Sequence, residues 1–485
     1  MKKILTLILS LILFSCAEKK DLTVSELSEK TGIYFNSIKD DPSELKHFFT
    51  KMPKGGDIHH HSNGTPYAEE FIQNAINDSC YINPFTYQLY SNREKAILQG
   101  DTSAVLINTL LQNRPDKKDS IIDNWSVRNY KENNRDGHDL FFSTFTKFDP
   151  AFVGYESELL SEICRRAAAD NISYLETMIA APNINDSIAK FADAGQWDSD
   201  NRALLTKLAD LYTHFKDNNI SKWAKANADS LDNFYTRTNK HGIDLKFQTY
   251  GLRISANQPK IFGSLILAFE TATLSENVVG VNFVAPEDNA NALKNYSTHM
   301  QMFGFLHEKY PQVNISLHAG ELVPGKGSVK ESDLKFHINE ALKTARAMRI
   351  GHGVDITGED NYEEVLRFMN KNGRAVEINL ESNEVILETN TKDHPINAYR
   401  KYNVPICISS DDEGVLRTNL INQYMLLIEY VPDISYEEIK SIVFNSIRYS
   451  FLVENDKSGV LKKLKSKFEE FEKEIVKDND QSKNP

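Results

Sequence analysis

The stretch GGDIHHHSNG, residues 55–64, reads as a short strand that ends in a run of histidines and then turns. On an extended chain alternate side chains share a face, so His59 and His61 point one way and His60 the other. The same layout, an apolar run closed by residues able to bind metal or move protons, returns in NISLHAGE (314–321), RIGHGVD (349–355) and VPICISSDDEG (404–414). Residues so distant in sequence meet only where many strand ends converge, and a parallel barrel brings its strand ends together at the C-terminal face.

Other runs supply the remaining strands. ISYLETMIA (172–180), LKFQTYGLRI (245–254), VVGVNFVA (278–285) and AVEINL (375–380) are short, apolar and rich in β-branched or aromatic residues. With GGDIHHH (55–61), NISLHA (314–319), MRIGHG (348–353) and PICISS (405–410) they make eight. Helical patterns lie between them, among them ESELLSEICRRAAADN, KIFGSLILAFETAT and YEEVLRFMNKNG. Eight strands alternating with helices predict an α/β fold, a TIM (β/α)8 barrel with helical insertions. Residues from about 66 to 145, rich in Asn, Asp and Tyr, fall outside the repeat and are expected as a helical insertion over the barrel mouth. Residues from about 186 to 240 are expected as a long helical connection after the second strand. SELKHFFTKMPKGG is amphipathic and is expected to close the bottom of the barrel or dock beside it.

The resulting division is a leader at 1–15, a tether and leading helix at 16–45, the barrel at 46–455, and a charged helix and tail at 456–485 that frays into a disordered end. The leader, MKKILTLILSLILFSC, has Lys2 and Lys3, an apolar core from Ile4 to Phe14, and Cys16 directly after Ser15. It is too short and wrongly flanked for a membrane span and reads as a secretory signal. It resembles the lipobox of bacterial lipoproteins, which implies a lipidated Cys16 that anchors the protein to a membrane in the cell envelope, outside the cytoplasm, on the periplasmic or cell-surface face. Cys80, Cys164 and Cys407 form no CxxC pair and read as buried thiols. The net charge of -12 comes without a basic block, which excludes an extended nucleic-acid surface but not a single nucleoside. The sequence allows a homodimer without specifying one.

Two imidazoles on one strand face, His59 and His61, suit a zinc ion. HAGE adds a third imidazole, His318, and a carboxylate, Glu321, of which one can be a ligand and the other, shielded from water, an acid. His352 stands between Gly351 and Gly353, where the backbone can approach a ligand or a neighbouring strand. Asp411 offers a carboxylate as fourth ligand, and Asp412 can meet a substrate. Each alone also reads as a structural histidine or a solvated acid; together on one barrel they argue for a site with one zinc per chain.

These motifs resemble the adenosine deaminases, within the metal-dependent amidohydrolase barrels. MPKGGDIHHH is similar to the first-strand motif of the secreted growth-factor-like group, and GHDLFFSTFTKF (137–148), LHAGE, RIGHG, VEINLESN, SSDD and FNSIRYSFL extend the resemblance over about residues 50 to 455. The resemblance implies that His59, His61, His318 and Asp411 hold zinc, that Glu321 protonates purine N1, that His352 assists the attacking water, and that Asp412 accepts a hydrogen bond from N7. It implies deamination of adenosine or 2'-deoxyadenosine to the inosine form with release of ammonia. Three places depart from the family pattern. Ser62 and Asn63 stand where an aspartate meets the sugar 5'-hydroxyl, and Glu413 replaces a proline. Ala285 and Pro286 replace a glycine whose amide meets N3, and Asn282 an aspartate. Metal and acid are kept while sugar and purine contacts change, so another aminopurine or related heterocycle, or a nucleoside-binding lipoprotein without turnover, remain as alternatives. No Arg or Lys cluster beside the motifs favours a nucleoside monophosphate.

Overall fold

The computed structural model describes residues 22–180 and 201–483; the expected leader, Cys16, the start of the tether and part of the 186–240 connection lie outside them. Eight strands run parallel in one sheet in chain order: β1 (Gly55–His61), β2 (Ile172–Met178), β3 (Asp244–Leu252), β4 (Val278–Val284), β5 (Asn314–Ala319), β6 (Arg349–His352), β7 (Ala375–Ile378) and β8 (Ile406–Ile408). Between β8 and β1 the ladder thins to one bridge, His60 to Asp411, where the Asp411 amide donates to the His59 carbonyl at 3.0 Å. The sheet is thus a nearly closed barrel wrapped by helices. Every run read as a strand is one, but several stop short, as at 178, 252 and 408. There the chain leaves the ladder and becomes the loops that carry the site.

One long connection shows how the layers stack. The helix Gln258–Leu274 is capped by Asn257, whose side chain accepts from the Lys260 amide, and Pro259 sits in its first turn, where no amide is needed. It is apolar nearly all round, as a helix covered on every side must be. β3 and β4 lie on its inner side, and the helices Asn201–Asp217 and Ile220–Arg237 cover it outside.

Between Ala68 and Phe148 the chain forms five helices and an antiparallel sheet of three two-residue strands, the latter with no signal in the sequence. Phe71, Ile72, Trp125, Phe141 and Phe148 form a core of their own that continues into Val354, Val385, Ile386, Val415 and Leu416, from the loops after β6, β7 and β8. The insertion therefore sits on the C-terminal face of the barrel.

The C-terminal end corrects the sequence reading. A single helix runs from Glu454 to Lys483, and Val460, Leu464, Phe468, Phe471 and Ile475 are buried along one stripe against the helices Val24–Ile38 and Tyr436–Arg448. The lysines and glutamates between them crowd the outer face and masked a stripe at helical spacing. Pro42–Lys51 docks beside the barrel through Leu45, Phe48 and Phe49, against the helix Leu420–Tyr430.

Candidate active site

β1, β5 and the end of β8 bring His59, His61, His318 and Asp411 together, with one donor atom from each within 4.8 Å of the others. Two of these donor atoms are aimed by a neighbour. Glu377 on β7 accepts from His59 Nδ1 at 2.7 Å, which turns His59 Nε2 inward, buried and without a hydrogen-bond partner. Asn282 Oδ1 on β4 accepts from His318 Nδ1 at 2.9 Å, and its amide is oriented by the Phe283 amide and by Gln248. His318 Nε2 is therefore bare, and it faces His61 Nε2 at 3.2 Å. Imidazole nitrogens turned on one another beside a carboxylate leave a gap in the bonding that a zinc ion fits, both in donor type and in number. Gly351 lies flat under this group; a Cβ there would fall 2.7 Å from His59 Cε1.

The charges are set from below. Arg349 on β6 pairs with Glu377 and Glu176 inside the barrel. Burial would raise Glu377, but Arg349 and His59 hold it down to about 2. Burial would lower His59, but Asp411 and Glu377 beside it outweigh that and raise it to about 10, so its inward Nε2 gives up a proton when a metal binds. Burial lowers His61 and His318 and brings His352 down to about 3. Against its burial, contacts with His59 and His61 keep Asp411 ionised.

Glu321 is 7% exposed, and burial together with the charge of Asp411 pushes it up to about 8. Its position is fixed by Glu287, whose carboxylate accepts from the Glu321 amide at 3.0 Å and the Gly320 amide at 3.2 Å. His352 ends β6 with Nδ1 at 3.5 Å from Glu321 Oε1 and Nε2 at 3.9 Å from Asp411 Oδ2. Asp412 lies beside Asp411, and burial together with Asp411 raises its carboxyl well above its ordinary range, which fits it to donate a hydrogen bond; purine N7 carries no hydrogen, so the N7 contact expected of Asp412 calls for a donor. Asn63 lies partly exposed in the turn after β1. Ala285 follows β4 with φ at 81° and offers its carbonyl to Arg253 Nε at 2.6 Å. With His352 at φ 67° and Asp411 at φ 63°, three strand ends at the site hold non-glycine residues in the left-handed region.

Glu377, Glu287, Asn282 as an orienting group, and Asn383, which lies 2.9 Å from His352 Nδ1, were missed as parts of the site. A charged residue inside an apolar strand, as in AVEINL, was the available signal for Glu377.

Residues 236–467 match the family described as adenosine deaminase, a span that takes in His318, Glu321, His352 and Asp411 and begins after β1. The adenosine deaminase of Clostridium acetobutylicum is 31% identical over 153 residues, 31% of this chain and 42% of that protein. The chain spans about half the length of the curated relatives it matches. Among solved structures, the N6-methyl-AMP deaminase of Arabidopsis thaliana superposes with a TM-score of 0.56 at 16% identity, over 87% of this chain and 98% of that one. An amidohydrolase of Burkhoderia ambifaria with bound Zn gives 0.50 at 15% identity, over 90% and 94%. At such identities the likeness is one of fold.

Proposed function

From its relationship to the adenosine deaminases, we propose that this chain is a zinc-dependent hydrolase that deaminates adenosine or 2'-deoxyadenosine, replacing the amino group at C6 with oxygen from water and releasing ammonia. The observation that carries the reading is the pairing of a metal-competent cluster with an adjacent buried carboxyl that keeps its proton near neutrality. His59, His61, His318 and Asp411 would hold the ion, as the two imidazoles held with a nitrogen turned inward suggest. Zinc, when bound, supplies a Lewis acid that lowers the pKa of water to about 7.

The chain's own groups do the rest. Glu321 delivers its proton to N1 of the purine, which makes C6 more electrophilic. The Asp412 carboxyl donates to N7 and fixes the ring. His352, buried and neutral, reaches the incoming water through Nε2. Glu321, His352 and Asp412 are buried, so these hydrogen bonds act in a low dielectric. Ser62 supplies no charge for a ribose hydroxyl, and this favours a test on other 6-aminopurines as well as on nucleosides.

The test follows the fall in ultraviolet absorbance with adenosine, 2'-deoxyadenosine and a panel of 6-aminopurines, with Glu321→Gln as control. Nucleoside turnover lost in the control supports the proposal. Turnover confined to another aminopurine would replace the substrate, and zinc binding without any turnover would leave a binding protein. We read Cys16 as a lipid attachment site outside the cytoplasm, on the periplasmic or cell-surface face of a membrane; Cys16→Ser should move the protein from the membrane to the soluble fraction.

A further inference from the structure

Behind His352 three buried side chains form a chain whose direction is set by the backbone. The Ile396 amide donates to His394 Nδ1 at 3.2 Å. A backbone amide can only donate, so this nitrogen is bare. Neutral His394 then carries its single ring proton on Nε2, which faces Asn383 Oδ1 at 3.2 Å. With its oxygen taken up by that donor, Asn383 turns its NH2 group to His352 Nδ1 at 2.9 Å, and the Asn379 amide nitrogen approaches the same atom at 3.5 Å. His352, Asn383 and His394 are at most 4% exposed, so water does not compete for these bonds.

We propose that His394 and Asn383 are positioning residues that lock His352 in the tautomer with Nδ1 bare and the proton on Nε2. The nitrogen turned towards Asp411 is then an N–H donor. Resting on the deaminase reading, His352 meets the oxygen of the attacking water by donating a hydrogen bond to it, which turns the lone pair of that water towards the purine, and it does not act as a base. Glu321 Oε1, 3.5 Å from the same bare Nδ1, fits this arrangement when it carries its proton and opposes it when ionised.

A purely structural role for the chain of bonds would knit the helix Leu380–Leu387 to the following loop without fixing a proton. Nitrogen NMR separates the two. In the full chain labelled with 15N-histidine, the His352 signals are identified by their loss in His352→Gln. The expected wild-type pattern has an unprotonated Nδ1 and a protonated Nε2. Asn383→Asp places a carboxylate where the NH2 group was, so Nδ1 should gain the proton and the pattern invert. With zinc content unchanged, kcat should fall at least roughly 10-fold and up to roughly 10⁴-fold, the scale of a reversed histidine tautomer, while KM stays within a few-fold. His394→Gln, whose amide can still donate to Asn383, should keep the wild-type pattern and most of kcat. A protonated Nδ1 in the wild type, or an unchanged pattern in Asn383→Asp, overturns the proposal. If Asn383→Asp does not fold, the wild-type spectrum decides alone. The expected pattern in a wild type that turns over no purine would support the relay and overturn the deaminase reading instead.

Discussion

Asn282 and Glu377 each accept a hydrogen bond from the Nδ1 of a histidine, His318 and His59, and so decide which nitrogen those rings turn inward. Asn282→Leu keeps the volume but removes the acceptor. We expect zinc affinity to drop roughly 10- to 100-fold, the usual cost of losing such a partner, measured by competition with a chelator. Gly64 gives a second prediction. A Cβ there would fall 1.6 Å from Asp412 Oδ1, so Gly64→Ala must push that carboxyl aside. One lost hydrogen bond between neutral groups is worth about 0.5–1.5 kcal/mol, so kcat/KM should fall roughly 2- to 10-fold with zinc content unchanged. The cluster of His59, His61, His318 and Asp411 was legible because HxH, HAGE and SSDD each put a distinctive residue at the end of an apolar run. Glu287 and Asn383 were not, since their partners are fixed by the way the loops after β4 and β7 fold back, and nothing local in PEDN or ESNE shows this.

The loops that carry these residues are held to the insertion by a few charged contacts. His138, at the start of the helix Gly137–Phe148, pairs through Nε2 with Asp288 at 2.7 Å, and Lys326 joins Asp136 to Glu388. The bond to Asp288 raises His138 to about 9, with burial opposing it and Asp139 adding to it. A histidine whose folded pKa lies above its unfolded value near 6.5 stabilises most fully below that pH and loses its contribution as pH rises through the folded value. The advantage of the wild type over His138→Gln should therefore shrink between about pH 6.5 and about pH 9, followed as Tm or as protease resistance of the insertion. Equal slopes in both proteins would remove His138 from this role. Glu413, the departure from the family's proline, has a place at the same scale. It pairs with Arg166, whose guanidinium lies 4.5 Å from the Tyr67 ring while Arg417 lies 4.7 Å from it. The pair ties the helix Glu156–Ala169 to the end of β8, where Asp411 and Asp412 sit, and Arg166 also donates to the Thr65 carbonyl in the turn after β1. A helical insertion was legible from its polar composition, but its small sheet was not, because strands of two residues carry no period.

Over the whole molecule the weakest line of the barrel is the seam between β8 and β1, where one bridge replaces a ladder. Two layers of helix cover it. Tyr436–Arg448 packs on both strands, and the first and last helices of the described chain pack on Tyr436–Arg448. Phe468 and Phe471 are at most 4% exposed there; Phe471 meets Phe48 edge-on at 5.1 Å, and Phe468 stacks on Phe444 at 5.5 Å. Glu472, fully buried between them, receives bonds from Ser28, Tyr436 and Lys440, so the charge is paired where it is desolvated. The C-terminal helix is thus part of the barrel's closure, a role hidden in the sequence by its charged outer face. Phe468→Ala should cost about 3–5 kcal/mol in urea unfolding, as for other large aromatic truncations in a core. Because the site lies at the other end of β1 and β8, zinc affinity under native conditions should stay close to that of the wild type. A loss below about 1 kcal/mol would place the last helix outside the cooperative core, and a matching loss of zinc affinity would mean that the seam, and not the ligand neighbours, sets the geometry of the site.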